Sequence, residues 1–496
     1  MKRLCISLAA LLASSAAYAA DLPTKKGEPA PPPAKPNCFS SLYAYFDSTP
    51  ADCPLSYWGL TFYATIDIGG GYETHGAPFN ATMHTGVDEL LHKYSYRSLW
   101  ELTPNGLSQS QVGVKIKEPL AYGWSLVGEV ATGFDPYSLQ LANGVGAMTE
   151  NNTHTFLNQS ANDDSSRAGQ WDNSVAYGGF SHPVYGTLTG GRQNSLSLDL
   201  VNAYDPMGGS YAFSVIGWSG KIPGAGGTED ARMGTGVKYA DQVGNIRGSV
   251  MVQVGGYNLD NGSDSDVQLS LGGDFFDKSL SVDGVYSHIT DQVNLADWNA
   301  EFDKGILIPN DALKATLSDN DAFMLGAKYA WNQWKFYGGG EWIRYSNPSN
   351  DHLSGFTNIG GYPVLSNAVL PGSITTTAYT VPENFYGFWA GAKYAINDRV
   401  DVTGAYYLYY QPSFGVPAGG CAANKTPAAP GFAPLGTVSS HCLGFENAVS
   451  GVIDWRPLKR VDLYAGVFYQ RVSGGLATGY LEPDNIAPTA GIRVRF

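Results

Sequence analysis

Few residues in this chain have the types and spacing that chemistry would need, and the ones that come closest fail on geometry. Ser287-His288 is the nearest approach to a nucleophile and its base. In an alternating segment, however, adjacent residues point to opposite faces, so the two cannot form a relay. No GxSxG elbow and no HExxH pair occurs. Asp260-Asn-Gly-Ser-Asp-Ser-Asp266 places acids at alternate positions, as calcium loops do. There Gly262 is misplaced and the closing Glu is missing, so a solvated hairpin loop fits better. The sequence therefore predicts no enzyme, no metal site and no cofactor.

The cysteines carry more information. Cys5 lies in an apolar leader, leaving Cys38, Cys53, Cys421 and Cys442. An even number suits disulfides in an oxidising compartment. Spacing favours Cys38–Cys53 and Cys421–Cys442, although three pairings are open in principle. Closing a loop of about 15 residues contributes roughly 3 kcal/mol. No CxxC and no His pair near these positions suggests zinc.

The leader places the protein outside the cytoplasm. Met1-Lys2-Arg3 precedes an apolar stretch from Leu4 to about Ala13, then small residues ending Ala17-Tyr18-Ala19. This is the layout of a secretory signal peptide over residues 1–19. Residues 20–56 form a separate segment, with a proline-rich spacer at Pro29–Pro36 and a short helix expected around Ser41–Phe46. Because it precedes the first strand, this segment is expected on the periplasmic side. Residues 57–496 remain for the main domain.

Composition narrows what that domain is. Charged residues make up 15% of the chain, against roughly 25% in ordinary soluble domains, while Gly (61) and Tyr (31) are abundant. After the leader there is no apolar run long enough for a membrane helix. A transmembrane barrel reconciles these facts, because only alternate residues of each strand face lipid. The formal charge of −14 becomes −16 without Lys2 and Arg3, and offers nucleic acid no basic surface.

Alternation is the positive signal. Val112, Val114 and Ile116 alternate with Gly113, Lys115 and Lys117, and Val461, Leu463, Ala465 and Val467 with Asp462, Tyr464, Gly466 and Phe468. Val400, Val402, Tyr406 and Leu408 follow the same rule, as do Met233, Val237 and Tyr239 against Arg232, Gly234 and Lys238. Seven short connections separate paired segments: Glu118–Tyr122, His182–Gly186, Asp241–Asn245, Phe276–Ser279, Trp331–Gln333, Asn397–Arg399 and Arg456–Lys459. Seven hairpins plus a first strand near Tyr57–Gly71 and a last near Thr489–Phe496 predict an all-β fold, a closed antiparallel barrel of sixteen strands. The other connections are mostly long: 72–109, 134–171, 193–228, 290–320, 345–384, 411–445 and 471–488, with only 258–265 short. Long loops on one rim and short periplasmic turns on the other match an outer-membrane barrel. Tyr57, Trp58, Trp124, Tyr177, Tyr185, Tyr239, Trp334, Tyr394, Trp455 and Tyr469 fall near strand ends, where interface girdles want them.

Thr61-Phe-Tyr-Ala-Thr-Ile-Asp67 and the closing Gly491-Ile-Arg-Val-Arg-Phe496 resemble the first and last strands of Gram-negative general diffusion porins. The Ala20-Asp-Leu-Pro start together with Asn37-Cys-Phe39 is most similar to alphaproteobacterial members. The resemblance covers the mature chain and implies a homotrimer of outer-membrane pores passing small hydrophilic solutes. It also implies a terminal Phe496 read by the barrel-assembly machinery and a third loop folded inward to narrow each pore. Within it, Tyr185-Gly-Thr-Leu-Thr-Gly-Gly-Arg-Gln193 is similar to the fifth strand, whose Gly-Arg pair supplies a constriction arginine, here Arg192. Strict alternation puts Arg192 on the face of Leu188, so a bend at Gly190-Gly191 is needed to re-aim it. Asp205-Pro-Met-Gly-Gly209 resembles the acidic loop tip, making Asp205 the expected acid opposite Arg192. Gln111 stands where the family often has another arginine; Lys115, Lys117, Arg232 and Arg247 are the candidate substitutes. The alternative is a substrate-specific channel, for a sugar or an anion, with Tyr407, Tyr409, Tyr464 and Phe468 as an aromatic slide.

Overall fold

The computed structural model describes residues 38–76, 90–91, 95, 97–134, 136–137, 139, 174–216, 232–254, 265–296, 314–349, 358–359, 362–365, 373–377, 379, 381–413, 443–477 and 482–496. The leader, the proline-rich spacer, Cys421, Cys442 and most of the Asp260–Asp266 loop lie outside the described residues.

Sixteen antiparallel strands close into a barrel. They are β1 (Leu60–Gly76), β2 (Arg97–Pro104 continuing as Gln111–Pro119), β3 (Ser125–Gly133), β4 (Ala176–His182), β5 (Gly186–Asn194) and β6 (Arg232–Val243). There follow β7 (Ile246–Val254), β8 (Ser265–Phe275), β9 (Leu280–Ala296), β10 (Lys314–Trp331) and β11 (Trp334–Ser346). The circuit ends with β12 (Glu383–Asn397), β13 (Val400–Gln411), β14 (Gly444–Leu458), β15 (Val461–Gly474) and β16 (Asp484–Arg495). Each strand pairs with its neighbours in sequence, and β16 pairs with β1 from Thr65↔Arg495 to Gly71↔Thr489, which closes the ring. All seven expected turns connect hairpins.

The alternation sorts into two faces. Phe62, Leu102, Leu188, Leu325 and Val467 are exposed on the outer face, where lipid replaces water. Near the short turns, rings cluster on that face: His182 stacks on Tyr185 at 4.6 Å and Trp334 meets Tyr394 at 4.6 Å. Tyr177, expected in this girdle, instead faces inward across from Glu129. His288 bonds Asp321 at 2.8 Å, while Ser287 is buried and accepts from Gln268, so the two neighbours do point apart.

Among the irregularities of the barrel, two bear on the lumen. β2 breaks between Pro104 and Gln111, and the intervening residues bend inward, with Asn105 at φ 66. The Asp67 carboxylate holds this bend, accepting from Leu107 N at 2.8 Å, Ser108 N at 2.9 Å and Tyr464 Oη at 2.8 Å. In the β5–β6 pair, Gly191 faces Gly236 and Gln193 faces Met233, so the extra residue falls on β6. Met233 consequently turns inward, against the alternation expected of it, while Val237 and Tyr239 stay outside.

At the short-turn rim, residues 38–53 form a clip. Cys38 and Cys53 are bridged, with Cα atoms 6.1 Å apart. Between them is α1 (Leu42–Phe46), capped by Ser41, whose Oγ accepts from Ala44 N at 3.1 Å. Arg460, fully buried in the β14–β15 turn, donates to the carbonyls of Tyr45 (3.1 Å), Thr49 (3.2 Å) and Cys53 (2.6 Å) and lies 4.1 Å from the Tyr45 ring. Arg399 pairs with Asp47 at 2.9 Å, and the Phe46 ring meets Phe496 edge-on at 5.8 Å.

Candidate functional site: the lumen and the segment that crosses it

The chain leaving β5 turns onto the inner face. Ser195 caps a second helix, α2 (Leu196–Tyr204), its Oγ accepting from Leu198 N at 3.2 Å. Leu196, Leu200, Val201 and Tyr204 recur on one stripe and are buried, while Asp199 and Asn202 face the other way. The buried stripe packs on the inner wall of β8–β11. Leu196 N donates to Gln268 at 2.6 Å, and Trp389 Nε1 donates to the Tyr204 carbonyl at 3.0 Å. The Tyr204 hydroxyl joins Asp283 and Arg247, and Arg247 also binds Asp274 at 2.9 Å.

Wall glycines seat this segment. A Cβ on Gly326 would lie 2.7 Å from Tyr204 Cγ, and one on Gly391 would lie 2.5 Å from Pro206 Cγ. Further on, Phe213 packs edge-on against Tyr464 at 6.1 Å. Ser210 Oγ and Ala212 N both donate to the Gly106 carbonyl in the β2 bend, at 2.7 and 3.0 Å. Gly326→Val is expected to displace Tyr204 and loosen α2 at a cost of about 1–3 kcal/mol. Its readout is a larger single-channel current from a barrel that still migrates as folded on unheated gels; an unaltered current would mean that α2 does not depend on this seat.

On the opposite side of α2 an open cavity of about 520 Å³ remains against β1–β6. Its charged lining is Glu129 and Asp199 against Arg232 and Lys238. Lys238 Nζ meets Asp199 at 2.8 Å; Lys115 Nζ stands 3.9 Å from Glu129 and 5.0 Å from the Tyr63 ring centre. Gln111 and Gln193 add uncharged polar groups.

The expected site residues are distributed differently from the sequence reading. Arg232 lines the cavity and Lys115 adjoins it. Arg247 faces inward but is locked beneath α2 by two carboxylates. Arg192 is cross-strand from Ala176 on the outer-facing parity, and its Nε donates to the Ser174 carbonyl at 3.0 Å. Gly191, at φ 123, does break the regular backbone as expected, but it is Gln193 that takes the inward position, accepting from Thr189 Oγ1 at 2.7 Å. Asp205 does not meet Arg192. It is 2% exposed, capping the end of α2, and accepts from Tyr407 Oη at 2.7 Å, Gly209 N at 2.8 Å and Met207 N at 3.2 Å. Glu129, Asp199 and Lys238 were missed. The inward parity of Glu129 was readable from Val127, Glu129 and Ala131, and Asp199 from the helical spacing after Ser195.

Residues 7–426 match the family model described as Gram-negative porin. The chain belongs to the Gram-negative porin family. Among solved structures, the porin resembles an anion-selective porin from Comamonas acidovorans (TM-score 0.55, 12% identity, 88% of this chain and 99% of that one). It also resembles in-vitro folded OmpT, an outer membrane protein of Vibrio cholerae (TM-score 0.53, 12% identity, 89% and 99%). At these identities the likeness establishes the fold. No curated protein matches by sequence. This porin is a multi-pass barrel of the outer membrane and forms a diffusion pore; it is a channel and not an enzyme.

Proposed function

We propose that the porin is a general diffusion pore, assembled as a homotrimer, whose solutes pass through the cavity between α2 and the β1–β6 wall. The observation that carries this reading is the cavity's polar lining, in which acidic Glu129 and Asp199 and basic Arg232 and Lys238 border one open space. Charged and polar groups around such a space orient water, so apolar solutes are disfavoured and small hydrophilic ones pass without tight binding. Wall residues Lys115 and Arg232 with Lys238 form its basic side, and Asp199 on α2 contributes an acid. Arg247 and Asp205 hold the third loop in place. Arg192 belongs to the rim. Residues 1–19 serve as a signal peptide, residues 20–56 lie in the periplasm, and Phe496 presents the chain to the assembly machinery.

The alternative of a substrate-specific channel needs an accessible aromatic slide. Tyr407, Tyr409, Tyr464 and Phe468 are all buried, at 0–3% exposure, which favours the general pore. Purified protein in a planar bilayer under a salt gradient tests the choice. Large current steps grouped in threes, with weak ion preference and no block by sugars, are expected. Small currents blocked by one sugar or metabolite would establish the specific channel instead.

A further inference from the structure

We infer that Glu129, a carboxylate on the barrel wall rather than on the loop, sets the ion preference of this pore. The inference rests on the reading that solutes pass through the cavity beside α2. Glu129 sits on β3, directly across from Lys115 on β2 and Tyr177 on β4. Both of its oxygens are engaged by phenols: Tyr63 Oη donates to Oε1 at 2.6 Å and Tyr177 Oη to Oε2 at 3.1 Å. A neutral donor fixes a carboxylate in place without cancelling its charge, whereas an ammonium in contact does both.

The comparison with Asp199 makes the point. Asp199 carries Lys238 at 2.8 Å, so its field is largely closed on that partner. Glu129 has Lys115 Nζ at 3.9 Å, and that lysine's side chain is 58% exposed and therefore screened by water. Among the described residues, Glu129 and Asp199 are the acids of the lining, set against Arg232 and Lys238 with Lys115 adjoining. Neutralising one acid makes the cavity more positive by one unit. Removing Glu129 acts on the ion path directly, while removing Asp199 also frees Lys238 and disturbs α2.

The test is the reversal potential of the full mature protein in a planar bilayer under a KCl gradient. Glu129→Gln, which keeps the shape and an oxygen acceptor for the phenols, is expected to shift the permeability ratio toward anions by about sevenfold, since one unit charge roughly 7 Å from the ion path at a water-like dielectric changes cation and anion entry by about threefold each in opposite directions. Glu129→Asp keeps the charge and is expected to shift the ratio far less. Lys115→Gln shifts it toward cations. Should Glu129→Gln fail to fold, the double change Tyr63→Phe with Tyr177→Phe supplies the second arm. It leaves the carboxylate free to swing onto Lys115, giving a smaller shift toward anions. An unchanged ratio in Glu129→Gln alongside a shifted ratio in Asp199→Asn overturns the role of Glu129 and leaves the location of the pore intact. If Glu129→Gln, Asp199→Asn and Lys238→Gln all conduct with the wild-type ratio, ions do not pass this cavity and the proposed pathway itself is wrong.

Discussion

Replacing Asp205 by alanine is expected to give the largest gain in pore size available from one substitution. The Asp205 carboxylate gathers the hydroxyl of fully buried Tyr407 and the backbone N–H groups of Met207 and Gly209. Alanine leaves these donors without acceptors, at about 1–3 kcal/mol for each buried group so stranded. The strands do not depend on those bonds, so the loss falls on the loop rather than the barrel. Single-channel current should rise and become noisier, and liposome-swelling assays should admit larger sugars. Tyr407→Phe, which removes one donor and strands one acceptor site, is expected to move both readings the same way by a smaller amount. Wild-type current and cutoff in Asp205→Ala would show that the glycine seats and the β2 bend hold the loop unaided.

Arg460→Met is expected to cost the most stability. The guanidinium is fully buried, and methionine leaves three carbonyls of the 38–53 clip, those of Tyr45, Thr49 and Cys53, without that donor. The Tyr45 and Thr49 carbonyls keep the N–H groups of Ser48 and Cys53, so the cost falls on the Cys53 carbonyl, at about 1–3 kcal/mol, on the loss of the guanidinium's packing, and on the face of Tyr45, which loses its cation. The temperature at which the barrel unfolds on semi-native gels should fall clearly, and protease should cut between Cys38 and the first strand. Arg460→Lys preserves charge but lacks the planar fork that reaches separate carbonyls, so it should fall between wild type and methionine. If Arg460→Met left both the unfolding temperature and the protease pattern unchanged, the bridge and the Phe46–Phe496 contact would suffice to hold the clip.

The barrel was legible because its signals are local. Period-two alternation and short turns depend on residues a few positions apart, so strand number, the seven hairpins and the helix near Ser41–Phe46 followed from the chain itself. What failed was non-local. The break in β2 lay hidden inside the expected 72–109 loop, because nothing near Asn105-Gly106 reveals that Asp67, far away in sequence, will hold it. The irregularity expected at Gly190-Gly191 is there, but it does not turn Arg192 inward; the extra residue belongs to β6, and which partner absorbs a bulge is fixed only on pairing. Asp205 was expected to oppose Arg192 across the lumen because sequence gives residue type without burial. The Cys38–Cys53 bridge matched its spacing, a short-range property again.

The inward bend of β2 ties the segment after β5 to the closure of the ring. The Gly106 carbonyl that receives Ser210 and Ala212 belongs to the second strand, and the Tyr464 ring that receives Phe213 belongs to the fifteenth. These anchors lie on either side of the β16–β1 seam, and Asp67 on β1 binds both the bend and Tyr464. A barrel open at that seam has no complete landing place for the loop tip. Full docking of this segment is therefore expected to require that the β16–β1 pairing has formed.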